Sequence, residues 1–144
     1  MFHIGIIYAP YDSKTTGIVR EMERVVSEKG YDFRSRRAGE GSIVDINASD
    51  IVILISDGKG DHKINPDYSE IARALKGVNL SGRIAGVISL GGTDTLKAFK
   101  EILRDTGIEI RQLNFNDGQE NPGKWLLSII NEYKETMNER GINE

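Results

Sequence analysis

Ile51-Val52-Ile53-Leu54-Ile55 is the most hydrophobic run in the chain, five aliphatic residues with no polar position among them. A strand with no polar face must be covered on both sides, as parallel strands sandwiched between helices are. Ile84 to Leu90 and Ile4 to Tyr8 read the same way. Two other runs differ. Between Tyr31 and Ala38 the apolar Tyr31 and Phe33 alternate with Asp32, Arg34 and Arg36, and Ile108, Ile110, Leu113 and Phe115 have polar residues between them. Alternation marks strands covered on one side only, which belong at the edges of a sheet. With the second and fifth strands at the edges and right-handed crossovers, the five strands take the order 2-1-3-4-5.

Helical spacing fills the intervals. Ile18, Met22, Val25 and Val26 recur on one face, and Gly30 follows as a C′ glycine. A short link with Gly39 and Gly41 leaves room for one helical turn before the third strand. Pro66 and Asp67 open a helix carrying Ile71, Ala72 and Leu75. Leu96, Phe99, Ile102 and Leu103 form another that Gly107 stops, and Leu126, Ile129, Ile130, Tyr133 and Met137 line the last. The expected fold is α/β: a three-layer αβα sandwich around a five-stranded parallel sheet, one domain over residues 1–144.

Composition narrows the function classes. At 144 residues the chain suits one core of good size. No cysteine is present, which removes thiol catalysis and thiolate metal sites. The longest apolar runs are of strand length, well below the roughly 20 residues that span a bilayer, and no basic start leads into an apolar signal segment. A cytoplasmic protein without membrane contact is expected. The net charge of −3 disfavours nucleic acid, and the clusters Arg34, Arg36, Arg37 and Lys97, Lys100, Arg104 lack interleaved aromatics, so both read as solvated faces.

In the order 2-1-3-4-5, ligands bind where the carboxyl ends of strands one and three diverge. Three loops reach that crevice: Pro10 to Gly17, Ser56 to Asn65, and Gly91 to Asp94. The first runs from a strand through Ser13-Lys14-Thr15-Thr16-Gly17 into a helix, an arrangement that aims backbone N–H groups and a helix N-terminus at an anion. The bland reading makes Thr15 or Thr16 an N-cap with no ligand. For the third loop, the bland reading is a tight turn with Thr93 as the cap.

With these loops in place, the chain resembles short-chain flavodoxins over nearly its whole length. That family's first loop, [Ser/Thr]-x-Thr-Gly-x-Thr, wraps the phosphate of flavin mononucleotide (FMN), and Lys14-Thr15-Thr16-Gly17-Ile18-Val19 stands in its place, with Ser13 just ahead. Ile18 and Val19 replace polar residues of the pattern. The resemblance implies an FMN-binding electron carrier serving redox partner proteins. Ser13, Lys14, Thr15, Thr16 and Gly17 would hold the phosphate. Ser56, Asp57, Gly58, Lys59 and Gly60 would face N5 and the ring, and Leu90, Gly91 and Gly92 the pyrimidine edge. Asp57 and Asp61 would disfavour the anionic reduced flavin.

The loops lack the two aromatics with which the family stacks on the ring; Tyr11 is the one substitute they offer. Aromatic pairs contribute about 0.5–1.5 kcal/mol each beyond burial, so two absences weaken flavin binding by roughly tenfold to a hundredfold. Trp125 resembles the family's aromatic near the last helix, and packing against the sheet is its expected role.

Two alternatives stand beside this. One is a flavodoxin-fold binding or regulatory module without tightly bound flavin. The other is a receiver-like phosphoacceptor domain, with Asp57 as acceptor and Asp12 as a magnesium ligand. Against the receiver, the chain has Ala9 and Pro10 after its first strand where an acidic pair is needed, and no lysine ends its fifth. No nucleophile elbow or P-loop is present, and Asp57, Asp61 and His62 match no metal-site spacing.

Overall fold

The computed structural model describes residues 2–40, 43–58, 61–115 and 121–139. Its strands are β1 (His3–Tyr8), β2 (Asp32–Arg37), β3 (Ile51–Ser56), β4 (Ile84–Ser89) and β5 (Glu109–Asn114). All four pairings are parallel, and the order is β2-β1-β3-β4-β5. The register aligns the central strands across the sheet, with Ile4 beside Ile51 and Ile51 beside Ile84. Every residue of β3 and β4 is buried, whereas β2 and β5 are mostly part-exposed. The contrast between filled and alternating runs therefore places each strand in the sheet.

The strands are joined by α1 (Ser13–Glu28), α2 (Ile43–Ala48), a 3-10 turn (Pro66–Tyr68) that leads into α3 (Ser69–Ala74), α4 (Thr93–Leu103) and α5 (Pro122–Glu139). Side chains alternate across each central strand, giving two apolar layers. Ile6, Ile53, Ile55 and Ile88 pack with α1 and α5 on one face. Ile7, Val52, Leu54 and Val87 pack with α3 and α4 on the other. Gly30, at φ 74°, follows the Lys29 C-cap of α1 as expected, since an L side chain is strained there. Trp125 lies on the sheet as anticipated: a Cβ on Gly86 of β4 would come within 2.7 Å of its Cη2.

Short α2 ends against Arg83, whose Nη1 donates to the carbonyls of Ile46, Asn47 and Ser49 at 3.2, 2.6 and 2.9 Å. A guanidinium there satisfies orphan carbonyls and complements the negative end of the helix dipole. Edge strand β2 is tied to the same helix by Asp45, a buried carboxylate 2.6 Å from Arg36 Nε and 3.5 Å from Arg34 Nη1. Two of the three arginines read as a solvated face are thus anchors of the edge. Among the described residues, no helix is long and apolar enough to cross a membrane.

Candidate functional site

The carboxyl ends of β1, β3 and β4 converge, but the first loop is shorter than expected. α1 begins at Ser13, so Thr15, Thr16 and Gly17 lie inside the helix, and the loop is only Ala9 to Asp12. The Ala9–Pro10 peptide is cis. Neither Thr15 nor Thr16 is the N-cap. Asp12 is, in extended backbone, its Oδ1 accepting from the Thr15 N–H at 2.8 Å. Aspartate is among the best N-cap residues, and its charge complements the helix dipole, so the boundary follows from local chemistry.

The helix also accounts for the neighbouring residues. Thr16 Oγ1 donates back to the carbonyl of Asp12 at 2.8 Å. Ile18 and Val19 are buried core residues of α1. A Cβ on Gly17 would meet nothing within 4 Å. Thr15 is different. Its side chain is fully buried, and among the described residues its Oγ1 alone is a buried side-chain polar atom with no hydrogen-bond partner.

The second and third loops meet each other. A Cβ on Gly91 would lie 2.5 Å from Gly58 N, and one on Gly58 would lie 2.8 Å from the Lys63 carbonyl oxygen. Both glycines are needed for this approach. Thr95, at the start of α4, locks it by donating from Oγ1 to that carbonyl at 2.6 Å. Ser56 Oγ donates to the Asp57 carbonyl and accepts from Asn65 N–H, both at 2.8 Å. Asp57 Oδ1 accepts from Asn65 Nδ2 at 3.0 Å. In the third loop Ser89 Oγ donates to the Gly92 carbonyl at 2.6 Å and accepts from Gly91 N–H at 3.1 Å. Leu90 N–H is spent on the Ser56 carbonyl at 2.9 Å. The tight turn is as expected, but Gly92 at φ 100° caps α4, and Thr93 is its first residue. Lys59 and Gly60 lie outside the described residues. His62 is exposed, as expected.

Beneath these loops sits a residue whose position no pattern in the sequence marks. Tyr68, fully buried, puts its hydroxyl between the carboxyl ends of β1 and β3. Its proton lies between the carbonyls of Ile55 (2.6 Å) and Ile7 (3.0 Å), and its oxygen accepts from Ile55 N–H at 3.0 Å. Burial pushes this phenol well above its usual range. Its ring meets Phe99 edge-on at 5.3 Å. The signal available was an aromatic two residues after Pro66, too generic to give the position.

Tyr11 lies toward β2. Its ring lies 4.2 Å from the Arg37 guanidinium and 6.4 Å from Tyr8. Arg37 belongs to β2, on the far side of β1 from β3, so the substitute aromatic is turned toward the sheet edge. Tyr8 is raised above its usual pKa by partial burial and then by Tyr11. On the other side of α1, Ser13, Lys14, Gly17, Ile18, Phe115 and Pro122 help line a cleft of about 410 Å³, with Lys14 Nζ 5.9 Å from the Phe115 ring. Phe115 is thus an aromatic beside the start of α1 that reading the three loops alone missed. Among the described residues no three carboxylate or imidazole side chains gather as a metal site.

No protein-family model matches the sequence, and no curated protein does. Solved structures do. The flavodoxin of Streptococcus pneumoniae TIGR4 superposes with a TM-score of 0.78 at 18% identity, covering 90% of this chain and 99% of that one. The Fusobacterium nucleatum flavodoxin, solved bound to flavin mononucleotide, gives 0.75 at 18% identity over 93% and 100% of the two chains. Oxidised flavodoxin 2 of Bacillus cereus gives 0.72 at 18% over 93% and 99%. Identities this low speak to architecture, and chemistry has to come from the residues. The chain has the flavodoxin-like fold, complete from β1 to α5.

Proposed function

We propose that this is a flavodoxin-like electron-transfer protein that takes FMN in the crevice above β1, β3 and β4. The single observation that carries the reading is Thr15 Oγ1, buried in the first turn of α1 without a partner. Leaving such a hydroxyl unpaired costs about 1–3 kcal/mol, and a ligand oxygen at the helix start would remove that cost. The position is the one where this topology holds ligands, and a solved neighbour with the same fold carries FMN.

On this reading Thr15 and Ser13 hold the phosphate end, with Lys14 as a mobile charge and Thr16 and Gly17 shaping the helix behind them. Ser56, Asp57 and Gly58 border the ring, and Leu90, Gly91 and Gly92 border its pyrimidine edge. The bound flavin supplies one-electron chemistry. The protein's own contribution is to hold the loops rigid through Thr95 and Ser89, keep Asp57 oriented by Asn65, and present an acidic molecule to basic partner faces. The test is a spectrum of the purified protein and of protein reconstituted with FMN. Flavin bands that survive gel filtration support the proposal.

A second reading, a module that works without flavin, is favoured by the closed contact between Gly58 and Gly91. It expects a colourless protein with no saturable response to FMN.

A further inference from the structure

Beside the crevice, α3 and α4 leave a second cleft between them, of about 590 Å³, within the roughly 300–1,000 Å³ usual for small-molecule sites. Small side chains open it. Ala72 of α3 and Ala98 of α4 line it, with Ile64 and Ile102 as further apolar walls, and all four are half-buried. One wall is the segment that follows β3, and it is fixed from behind. The Lys63 carbonyl accepts from Thr95 Oγ1 at 2.6 Å, and Asn65 N–H donates to Ser56 Oγ at 2.8 Å. A ligand therefore meets a wall already in place, which lowers the ordering cost of binding. The charges that line the cleft are unequal. Its carboxylates are Asp61 and Glu101, and Glu101 is held by Arg104 at 3.1 Å. Against Asp61 stand Lys63 and Lys97, both exposed and, among the described residues, in no ion pair. We propose that this cleft is a ligand site of its own, independent of the flavin reading, and that it takes a small amphipathic carboxylate. The apolar body lies between Ala72 and Ala98, and the head group meets Lys63 and Lys97. An ammonium head meets two like charges there and is disfavoured.

The test titrates the purified protein with decanoate and with decylammonium, both below micelle formation, and follows backbone amide shifts by NMR. Two variants accompany it: Ala98→Trp, which fills the cleft, and the double substitution Lys63→Glu with Lys97→Glu, which reverses the exposed charges. Decanoate is expected to saturate the wild type, with shifts centred on Ala72, Ala98 and Ile102, and to bind about tenfold tighter than decylammonium. The charge-reversed variant should turn that preference around, and Ala98→Trp should weaken both probes by about tenfold or more. Should Ala98→Trp fail to fold, the charge-reversed variant decides alone, since both lysines are exposed. Equal binding of the two head groups overturns the inference, because the contact is then apolar only. Shifts centred outside the cleft overturn it too, as does an absence of saturation at millimolar decanoate. Cleft amides that shift with protein concentration instead of with decanoate mark a contact between copies of the chain, and this also overturns it.

Discussion

Gly91 and Gly58 face each other so closely that a Cβ on Gly91 would stand 2.5 Å from Gly58 N and 2.9 Å from Thr95 Oγ1. The loops that follow β3 and β4 are therefore packed as a unit, with Thr95 as the pin. Gly91→Ala must push the loops apart, because the atom met first is backbone. Overpacking of this kind costs about 1–3 kcal/mol, so urea denaturation should show a loss of that size. Thr95→Val, which removes the bond to the Lys63 carbonyl, should cost about 1–3 kcal/mol. The two losses should be less than additive in a double variant, since both act on one contact.

Tyr68 ties β1 to β3 at their carboxyl ends. Tyr68→Phe keeps the packing on Phe99 but leaves the Ile55 N–H and two carbonyls without the hydroxyl, and a loss of about 1–3 kcal/mol is expected. The same residue sets an alkaline limit. Its folded pKa is raised by burial, so the folded state retains a proton that the unfolded state releases above about pH 10. Its contribution is complete below that pH and falls as pH rises further. Absorbance at the phenolate band should show one of the five tyrosines ionising only as the protein unfolds, and the Tyr68→Phe variant should lack that step.

Arg111 on β5 holds Glu132 on α5 through Nε, at 3.0 and 2.9 Å from the two carboxylate oxygens, and through Nη2. The hydrogen bond from Arg111 lowers the Glu132 pKa. A depressed carboxyl stabilises the fold above its unfolded pKa, and that contribution disappears as pH falls through the folded value. Both side chains are over a third exposed in the pair, 35% and 41%, so solvent screening keeps the contribution below about 1 kcal/mol. Glu132→Gln should cost that little at neutral pH and flatten the acid limb of the stability profile.

The sheet order was legible because burial leaves a direct trace in composition. Ile51 to Ile55 cannot be an edge, and Asp32 to Arg37 cannot be central. The start of α1 was less legible. Thr15-Thr16-Gly17 looks like loop chemistry, yet Asp12 three residues before Thr15 is the stronger local signal, and a helix tolerates the glycine that follows. The pairing of Gly58 with Gly91 and the reach of Tyr68 to Ile7 join segments far apart in sequence. Spacing along the chain carries no record of either, because each depends on how two loops fold back over the sheet.

The central claim is that the crevice takes a flavin, and a titration of FMN into the purified protein, followed by the emission of the single tryptophan, Trp125, tests it most directly. The account predicts saturation at one flavin per chain, with a dissociation constant raised by about tenfold to a hundredfold relative to a site with both stacking aromatics. A linear response, with no saturation and no flavin retained on gel filtration, would contradict it.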